Sequence, residues 1–498
     1  MEVVSIAQHV AIPMLRQLSL TRTSLLSRRR HRWPLPGRQQ PGAPAVQVGT
    51  VVNTQRRAFR SSDEYERWSR RVEASAKRGV EFAEVGGGGA AKVAPILCEV
   101  NPYAEQRLKF GRIAGAPVGT SSHAAIETTW PVSTDPVLAK DVRNLQDWAA
   151  VRLGKFYEAL DALTGDSAYL HILNGGGGAD DDGADDRSKG RLALVTAGHY
   201  FSRKVGRTLP DQDFVLRCYP THVGNSSIEI RTDAFQNGHL MNFCHTIMVC
   251  LDPETHRPVK GKLPPLLDDP MDRFQTERSE LAELHAQIRR CRAEDSMSLS
   301  SRNLTHPPTE EEMRGVHEMQ RNNASRAHYV KVSDNTHSNK TVVFPEMRNL
   351  HGKTFGGFVV AQAFDLAYMA AEYYTRGRRF VSLGVDEATF LMPVGIGDLL
   401  NFQTRVVHAD AGTGVFRVTV NVDVLDRADP AAGRPKSRTN FLRFIFASNP
   451  SEDPVQPLLP ESYEEILSYV SAARRHAVEP VQPGTLLEIS KFLSGFES

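Results

Sequence analysis

The segment that most constrains the fold is an apolar helix that follows a glycine-rich loop. The loop spans Asn349–Phe358 and reads NLHGKTFGGF, and the apolar run VVAQAFDLAYMAA follows at Val359–Ala371. A helix that is apolar almost all round must be buried. Its first turn directs unpaired N–H groups, and the positive end of the helix dipole, into the loop. The segment therefore predicts a buried helix whose N-terminus can stabilise negative charge.

The predicted helix carries a carboxylate, Asp365, with Gln362 three residues earlier on the same face. A carboxylate in the protein interior is costly unless a partner satisfies it. Asp365 is therefore a candidate catalytic base. The alternative is a structural carboxylate that accepts hydrogen bonds from neighbouring backbone groups.

The chain contains two copies of one unit, a buried helix followed by about four strands. The first copy has a largely apolar helix at Lys155–Leu170 and strand-like segments at 191–204, 214–223, 226–235 and 240–251. The second has its helix at 357–375 and strand-like segments at 379–392, 399–409, 415–425 and 439–447. Asp161 and Asp365 correspond at an offset of about 204 residues, which indicates domain duplication rather than a solenoid. One long helix against a twisted antiparallel sheet predicts an α+β fold.

Apolar and polar residues alternate along two of these strands. Ile228 and Ile230 alternate with Glu229 and Arg231, and five apolar residues alternate with polar ones over 416–424. A period of two is typical of an antiparallel strand with one face buried and the other in water. We therefore expect the polar side chains of these strands to face solvent.

Charge and cysteine usage exclude several classes of protein. The net charge of +2 divides into +9 for residues 1–62 and −7 for the remainder, so a nucleic-acid-binding surface on the folded part is not expected. The apolar runs are far shorter than the roughly 18 residues that suggest a membrane span. The five scattered cysteines form neither a CxxC zinc pattern nor a disulfide framework, which fits a reducing compartment. We expect no membrane span, no metal and no cofactor.

The N-terminal 62 residues have the composition of an organellar transit peptide. They hold ten Arg, no Lys and a single acidic residue, Glu2. The segment Arg57–Ser62 resembles a mitochondrial processing site, and the alternative is a basic tail. Residues 63–84 read as a charged surface helix. The acidic run at 174–186 reads as a solvated insertion, with metal binding as the alternative.

The second copy resembles the acyl-CoA thioesterases of the hotdog fold. Asn349-x-His-Gly-x-x-Phe-Gly-Gly357 resembles their helix-entrance motif, and Val385–Asp398 resembles the strand and turn that follow it. In the first copy, Val151–Lys155 followed by Glu158–Leu163 resembles the N-terminal hotdog of the long mitochondrial double-hotdog thioesterases, the acyl-coenzyme A thioesterase 9 type. The resemblance covers roughly residues 130–450 and implies two tandem hotdog domains, each a central helix wrapped by an antiparallel sheet.

This resemblance predicts the following domain organisation. We expect a transit peptide at 1–62, an N-terminal extension at 63–135, a first hotdog domain at 136–264, a helical connector at 265–325, a second hotdog domain at 326–450 and a C-terminal tail at 451–498.

The resemblance also implies an active site between the two hotdogs, pairing the Asn loop of one with the helix carboxylate of the other. That pairing joins Asn349 to Asp161, with backbone donors at Gly357 and a polarising role for His351. The opposite site would place Asp365 against residues 151–153, which contain neither Asn nor His. We therefore predict one intact and one degraded site.

Each of these residues also has a structural explanation. Asn349 is well suited to close an Asx-type turn, and His351 to make a structural hydrogen bond. Asp161 lies one turn after Glu158 and could form a surface acidic pair. For the coenzyme A phosphates we predict Arg378, Arg379 and Lys436, accompanied by Arg376 and Arg438, although most such clusters are solvated faces.

The expected function is hydrolysis of acyl-CoA to a fatty acid and free coenzyme A in the mitochondrial matrix. The expected partner is the acyl-CoA substrate, and further association between copies would use exposed sheet edges. Two alternatives remain open on the sequence. One is hydration or dehydration of an acyl thioester by an acid/base pair, and the other is non-catalytic binding of acyl-CoA after loss of the sites.

Overall fold

A computed structural model describes twelve ranges of the chain. These are residues 83–84, 109–142, 152–174, 193–204, 208–209, 211–252, 255–272, 274–300, 307–323, 329–426, 435–449 and 455–478. The predicted transit peptide and most of the predicted acidic insertion lie outside them. Of the predicted surface helix at 63–84, only Ala83–Glu84 is described, and these two residues form a strand, so the helix prediction is wrong there.

The secondary-structure elements follow the predicted order within both copies. The strands are β1 (Ala83–Glu84), β2 (Lys109–Arg112), β3 (Ile126–Trp130), β4 (Ala193–Lys204), β5 (Phe214–Val223), β6 (Ser227–Gln236), β7 (His239–Leu251), β8 (Val330–Lys331), β9 (Thr336–Val342), β10 (Phe380–Phe390), β11 (Leu399–Ala409), β12 (Val415–Leu425), β13 (Pro435–Ser448) and β14 (Leu458–Leu459). The helices are α1 (Pro136–Val142), α2 (Leu153–Asn174), α3 (Gln275–Ser300), α4 (Glu310–Asn323), α5 (Gly356–Thr375) and α6 (Tyr463–Val478).

One antiparallel sheet of twelve strands runs through both copies. Its order is β1-β2-β3-β5-β6-β7-β4-β10-β13-β12-β11-β9. The two copies meet at β4 and β10, where Tyr200 pairs with Glu387 and His199 with Ala388. The short strands β8 and β14 form a separate parallel pair. The two halves therefore share one continuous hydrogen-bond ladder.

The two central helices pack together on the inner face of this sheet. Leu160 of α2 and Val360 of α5 are fully buried and belong to one core cluster with β6 and β12 residues such as Ile230 and Val420. This arrangement confirms the α+β prediction of a buried helix against an antiparallel sheet in each copy. Among the described residues, no helix has the length and apolarity that crossing a membrane requires.

The repeated unit is longer than the sequence indicated. A strand precedes the central helix in each copy, β3 before α2 and β9 before α5. A further helix follows the last strand of the large sheet in each copy. The helix α3 packs on β5 and α6 packs on β11, and β5 and β11 hold the same place in the two halves of the sheet. The predicted connector and tail thus contribute corresponding helices to the two copies.

The prediction that the polar residues of the alternating strands face solvent is wrong. Glu229 and Arg231 are each only 2% exposed, and Arg417 is 3% exposed. The helices α3 and α6 cover this outer face, so its charged groups are buried and paired. The alternation correctly separates an apolar inner face from a polar outer one, but both faces are packed.

The buried charges of the outer face form a cluster in each copy. In the first copy, Glu229 accepts hydrogen bonds from Nδ1 of His245 and Nδ1 of His285, both 3.0 Å away, and from Nη1 of Arg289 at 2.6 Å. His285 and Arg289 belong to α3. The cluster therefore ties the covering helix to the sheet through groups that are costly to leave unpaired.

In the second copy, the cluster centres on Glu387. This carboxylate pairs with Arg443 of β13 and with Nη1 of Arg475 from α6 at 3.1 Å, while Arg417 pairs with Asp386 beside it. Buried charges again join the covering helix to the sheet, so the two copies share this device as well as their strand order.

Acid should destabilise the protein through its buried neutral histidines. Burial, the neighbouring His476 and Arg417 lower the pKa of His408 from 6.5 to about 3. The unfolded chain then takes up the proton first, so stability present above pH 6.5 is lost as pH falls toward 3. We expect His408→Leu to show a shallower fall of Tm between pH 6.5 and 4 than the wild type.

The matched control is His239→Leu, which removes an exposed histidine of β7. Its Tm should follow the wild-type pH dependence. Parallel Tm curves for His408→Leu and the wild type would contradict a neutral buried imidazole at this position.

Candidate active site

The helices α2 and α5 run antiparallel, which places each carboxylate near the N-terminus of the other helix. Asp161 and Glu158 of α2 lie against Gly356 and Gly357 at the start of α5. Farther along α5, Ala361 lies against Gly154 of α2. Asp365 in turn lies against Arg152, just before the start of α2. The duplication therefore generates two related carboxylate–helix junctions.

At the first junction, the Asp161 carboxylate is buried and fully engaged. Its side chain is 3% exposed. Oδ2 accepts the backbone N–H of Gly357 at 2.7 Å, and Oδ1 accepts the hydroxyl of Thr196 at 2.7 Å. Because the first turn of α5 carries unpaired N–H groups and a positive partial charge, it stabilises the ionised carboxylate. A surface acidic pair, the structural alternative for Asp161, does not describe this environment.

The close approach of the two helices requires glycine at the start of α5. A Cβ on Gly356 would lie 2.9 Å from Oδ2 of Asp161, and one on Gly357 would lie 2.8 Å from Cα of Glu158. These distances are shorter than carbon atoms tolerate without displacement. The Gly-Gly pair therefore sets the distance between the Gly357 amide and the Asp161 carboxylate.

His199 of β4 completes the surroundings of Asp161. Its Nε2 lies 3.4 Å from Oδ1 of Asp161, and the ring is fully buried. Its Nδ1 lies 2.9 Å from the hydroxyl oxygen of Thr246 on β7. Burial opposes the charge on His199, but Asp161 and the Cys244 thiol outweigh it and raise the pKa of His199 to about 9. Near neutral pH, the Asp161–His199 contact is thus an ion pair.

Asn349 organises the loop before α5. Its Oδ1 accepts the backbone N–H groups of His351 at 2.9 Å and Lys353 at 3.0 Å, and its own N–H donates to the Lys353 carbonyl at 2.6 Å. This is the Asx-type turn that the sequence offered as a structural alternative. Its Nδ2 makes a long contact of 3.5 Å with the Thr354 carbonyl.

His351 links this loop to the first copy. Its Nε2 donates to the carbonyl of Leu194 on β4 at 3.1 Å and lies 3.1 Å from the hydroxyl of Tyr169 on α2. The same hydroxyl accepts the Leu194 N–H at 3.1 Å. His351 thus has an interdomain hydrogen-bonding role in this structure and holds the loop against α2 and β4.

The second junction differs at the residues that matter for chemistry. Nη2 of Arg152 lies 2.5 Å from Oδ2 of Asp365, with side-chain exposures of 45% and 35%. The prediction that Asp365 is a buried carboxylate is wrong, because Arg152 and Leu153 stand at the start of α2 where α5 has Gly356 and Gly357. An arginine side chain therefore neutralises Asp365 at a partly exposed surface.

The predicted phosphate-binding cations lie away from the first junction. Arg378 and Arg379 follow the C-terminal end of α5, and a helix of 20 residues is about 30 Å long. Lys436 lies in β13, and its side chain is outside the part of the chain that the structure describes. Arg438 pairs with Asp423 at 3.0 Å. The structure does not bring these cations together with Asp161.

The described residues include one three-residue set with the geometry of metal ligands, Glu229, His245 and His285. Arg289 already binds the second oxygen of Glu229 at 2.6 Å. A divalent ion would meet that cation in a buried site, which is unfavourable. We therefore treat this set as a hydrogen-bonded cluster.

Sequence reasoning missed Thr196 and His199. The available signal was a strand with polar residues at its centre, because Thr196, His199 and Ser202 interrupt an otherwise largely apolar segment. A polar residue on the inner face of such a strand needs a partner, and Asp161 supplies it for both Thr196 and His199.

The fold and this site define a class of protein. A continuous antiparallel sheet built from two copies of the same strand order wraps two back-to-back helices, with a carboxylate of one helix at the N-terminus of the other. That arrangement is a double hotdog with one glycine-lined junction.

The chain is similar to proteins named mitochondrial acyl-coenzyme A thioesterases. It is 26% identical over 389 residues to the mitochondrial acyl-coenzyme A thioesterase 9 of Bos taurus, covering 75% of this chain and 81% of that protein. It is also 26% identical over 391 residues to the human protein of the same name, with the same coverage. These similarities confirm the resemblance that the sequence motifs carried. No protein-family model matches the chain.

A solved acyl-CoA hydrolase from Staphylococcus aureus, in complex with butyryl coenzyme A, coenzyme A and coenzyme A disulfide, is 21% identical to this chain. It matches 34% of this chain and 99% of its own with a TM-score of 0.28. The fold assignment rests on the strand order and central helices described above.

Adding a methyl group at Gly357 should destabilise the protein. The new Cβ of Gly357→Ala would lie 2.6 Å from the Phe355 ring and 2.8 Å from Cα of Glu158. We expect a loss of about 1–3 kcal/mol in the free energy of unfolding, measured by urea denaturation.

The control is Gly315→Ala in α4, where a Cβ meets nothing within 4 Å. Because alanine favours helix over glycine, this variant should be neutral or more stable by up to about 1 kcal/mol. Equal effects of the two substitutions would contradict close packing at the start of α5.

Proposed function

We propose that this protein is an acyl-CoA thioesterase that hydrolyses acyl-CoA to a carboxylic acid and free coenzyme A. The observation that carries the proposal is the Asp161 carboxylate, 2.7 Å from the Gly357 N–H at the N-terminus of α5. This junction combines a carboxylate with backbone donors, which thioester hydrolysis uses for water activation and charge stabilisation. The similarity to proteins named acyl-coenzyme A thioesterase 9 supports the same reaction.

In the proposed reaction, the N-terminus of α5 binds the thioester carbonyl oxygen. Negative charge develops there as a water oxygen bonds to the carbonyl carbon, and helix N-terminal amides stabilise such charge. Asp161 accepts the proton that the water loses. The C–S bond then breaks, and the proton passes to the departing coenzyme A thiolate. The products are the carboxylic acid and the free thiol.

The remaining residues of the junction have supporting roles in this proposal. Gly357 provides a donor and the space that brings Asp161 to it. Asn349 shapes the loop and presents its Nδ2 amide for orienting the water or the thioester. His351 holds the loop against the first copy. Asp365, paired with Arg152, belongs to the degraded junction.

We further propose that the protein acts in the mitochondrial matrix. The mitochondrial assignment is supported by the Arg-rich composition of residues 1–62 and by the names of the relatives. Association between copies through exposed sheet edges remains a prediction, and β9 is one of the two terminal strands of the described sheet that could offer such an edge.

Removing the carboxylate should abolish most of the activity. We expect Asp161→Asn to lower kcat by about 10²- to 10⁴-fold, because a positioned general base contributes that much. Thiol release is measured on substrates from acetyl-CoA to palmitoyl-CoA, with Asn349→Ala assayed alongside.

The matched comparison is Asp365→Asn, the same change at the corresponding position of α5. It should retain activity within about threefold, as expected away from the reacting atoms. Full activity in both Asp161→Asn and Asn349→Ala would refute the site assignment while leaving the fold intact.

Hydration of a 2-enoyl-CoA is the second candidate, and the Asp161–His199 pair is the observation that favours it. That chemistry commonly uses a carboxylate with a histidine. However, His199 is fully buried behind Asp161, so it does not reach a substrate carbon in this arrangement. Incubation with a 2-enoyl-CoA, followed by a search for a 3-hydroxyacyl product, separates the two reactions, and we expect only thiol release.

A further inference from the structure

The two copies differ at an interior position that faces the central helices. β-Bulges at equivalent places align the strands, because the register shifts between Thr196 and Gly198 in β4 and between Ser382 and Gly384 in β10. His199 of the first copy therefore corresponds to Val385 of the second. The junction of Asp161 therefore has a histidine side chain at the position where the junction of Asp365 has a valine side chain.

The strand neighbour of this position changes with it. His199 pairs with Thr246 across β4 and β7, and Val385 pairs with Phe444 across β10 and β13. The hydroxyl of Thr246 accepts the Nδ1–H of His199 at 2.9 Å, whereas Val385 and Phe444 are both fully buried apolar residues. A polar pair thus replaces an apolar pair at the junction that contains the Asp161 carboxylate.

The cost of this replacement indicates a function beyond packing. A histidine with 0% side-chain exposure loses hydration that only specific partners restore, and the second copy shows that the fold accepts a valine there. The histidine accompanies the Gly356-Gly357 junction, and the valine accompanies the junction occupied by Arg152. The two differences fall at the same site.

We propose that His199 is a positioning residue that orients the Asp161 carboxylate for hydrolysis and makes the reaction depend on pH. This inference rests on the proposed function of Asp161. The hydroxyl of Thr196 donates to Oδ1 of Asp161, Nε2 of His199 lies 3.4 Å from the same oxygen, and Oδ2 is directed toward the start of α5. Thr246 fixes the other side of the ring.

The charged and titratable groups that act on His199 come from two elements. Asp161 approaches from α2, and the Cys244 thiol from β7. The strand β10 presents the ring of Phe390, with its centroid 5.9 Å from that of the imidazole. Substitution of His199 therefore removes the imidazole that faces Oδ1 of Asp161 at 3.4 Å.

The test uses the full-length protein and measures the pH dependence of kcat/KM. Acyl-CoA substrates of several chain lengths are used, each over a range of concentrations that reaches saturation. His199→Val copies the second junction, and His199→Gln keeps a polar side chain without the charge. We expect both variants to move the acidic limb of the profile to higher pH by about one unit or more. A one-unit shift lowers kcat/KM by up to tenfold at pH values below the limb and changes it little on the plateau, and we expect KM to be nearly unchanged.

His408→Leu serves as the control for deletion of a buried imidazole, since His408 lies on the outer face against α6. It should change stability without moving the acidic limb. If His199→Val and His199→Gln lose activity equally at all pH values, or if His408→Leu moves the limb as far as they do, the positioning role is overturned.

A second readout is independent of turnover. The raised pKa of His199, about 9 against 6.5 in the unfolded chain, gives stability that is complete below pH 6.5 and lost as pH rises toward 9. The Tm of the wild type should therefore fall over this range relative to that of Asp161→Asn. If the difference in Tm between the wild type and Asp161→Asn is constant over this pH range, the Asp161–His199 ion pair is overturned. If the difference changes as expected but the wild type hydrolyses no acyl-CoA, only the proposed function is overturned.

Discussion

The structure depends on the antiparallel packing of two helices at glycine-limited distance. That packing buries Asp161 where the N-terminus of α5 offers an unpaired amide, and the Gly357 N–H meets the carboxylate at 2.7 Å. Burial of a carboxylate would otherwise be strongly unfavourable. Here the helix terminus, Thr196 and His199 together offset the lost hydration. The same contact aligns the two halves of the sheet, since β4 and β10 meet directly beside it.

The duplication produces two carboxylate–helix junctions, and these differ in the residues that surround the carboxylate. At one, small residues and backbone donors surround a buried carboxylate. At the other, Arg152 forms an ion pair with Asp365 at a partly exposed surface. The energetic logic differs accordingly, because an exposed pair contributes little to stability while a buried carboxylate requires every partner. The proposed chemistry and the free-energy cost of burying a carboxylate therefore both fall at the Asp161 junction.

Much of the fold could be predicted because hydrophobic periodicity reports burial directly. The strands β5, β11 and β12 have the predicted bounds, and α5 differs from its prediction by one residue. The polar strand β9 was missed since its residues THSNKTV lack an apolar face. The covering helices were not assigned to the repeat, because an alternating strand does not reveal whether its polar face meets water or another helix.

The site could be predicted only in part. The Gly-rich junction and the two helix carboxylates were readable as motifs, and the antiparallel helices place Asp161 at Gly357 as the resemblance implied. The contributions of Thr196 and His199 depend on a β-bulge and on the register between strands. Neither follows from local sequence, so the polar residues of β4 indicate a need for partners but do not identify Asp161 as the partner. Asn349 and His351 show how a motif residue can organise a loop through bonds that sequence cannot distinguish from catalysis.

The covering helices have a consequence for how the chain can be divided. A fragment that ended at residue 264 would retain Glu229 and His245 but lose His285 and Arg289, which belong to α3. One that ended at residue 450 would likewise leave Glu387 without Arg475 of α6. Each truncation would expose a carboxylate that is buried in the full chain and would remove cationic or hydrogen-bonding partners that lie on the following helix. The smallest unit that such a duplication could transfer intact is therefore a hotdog together with the helix that follows it.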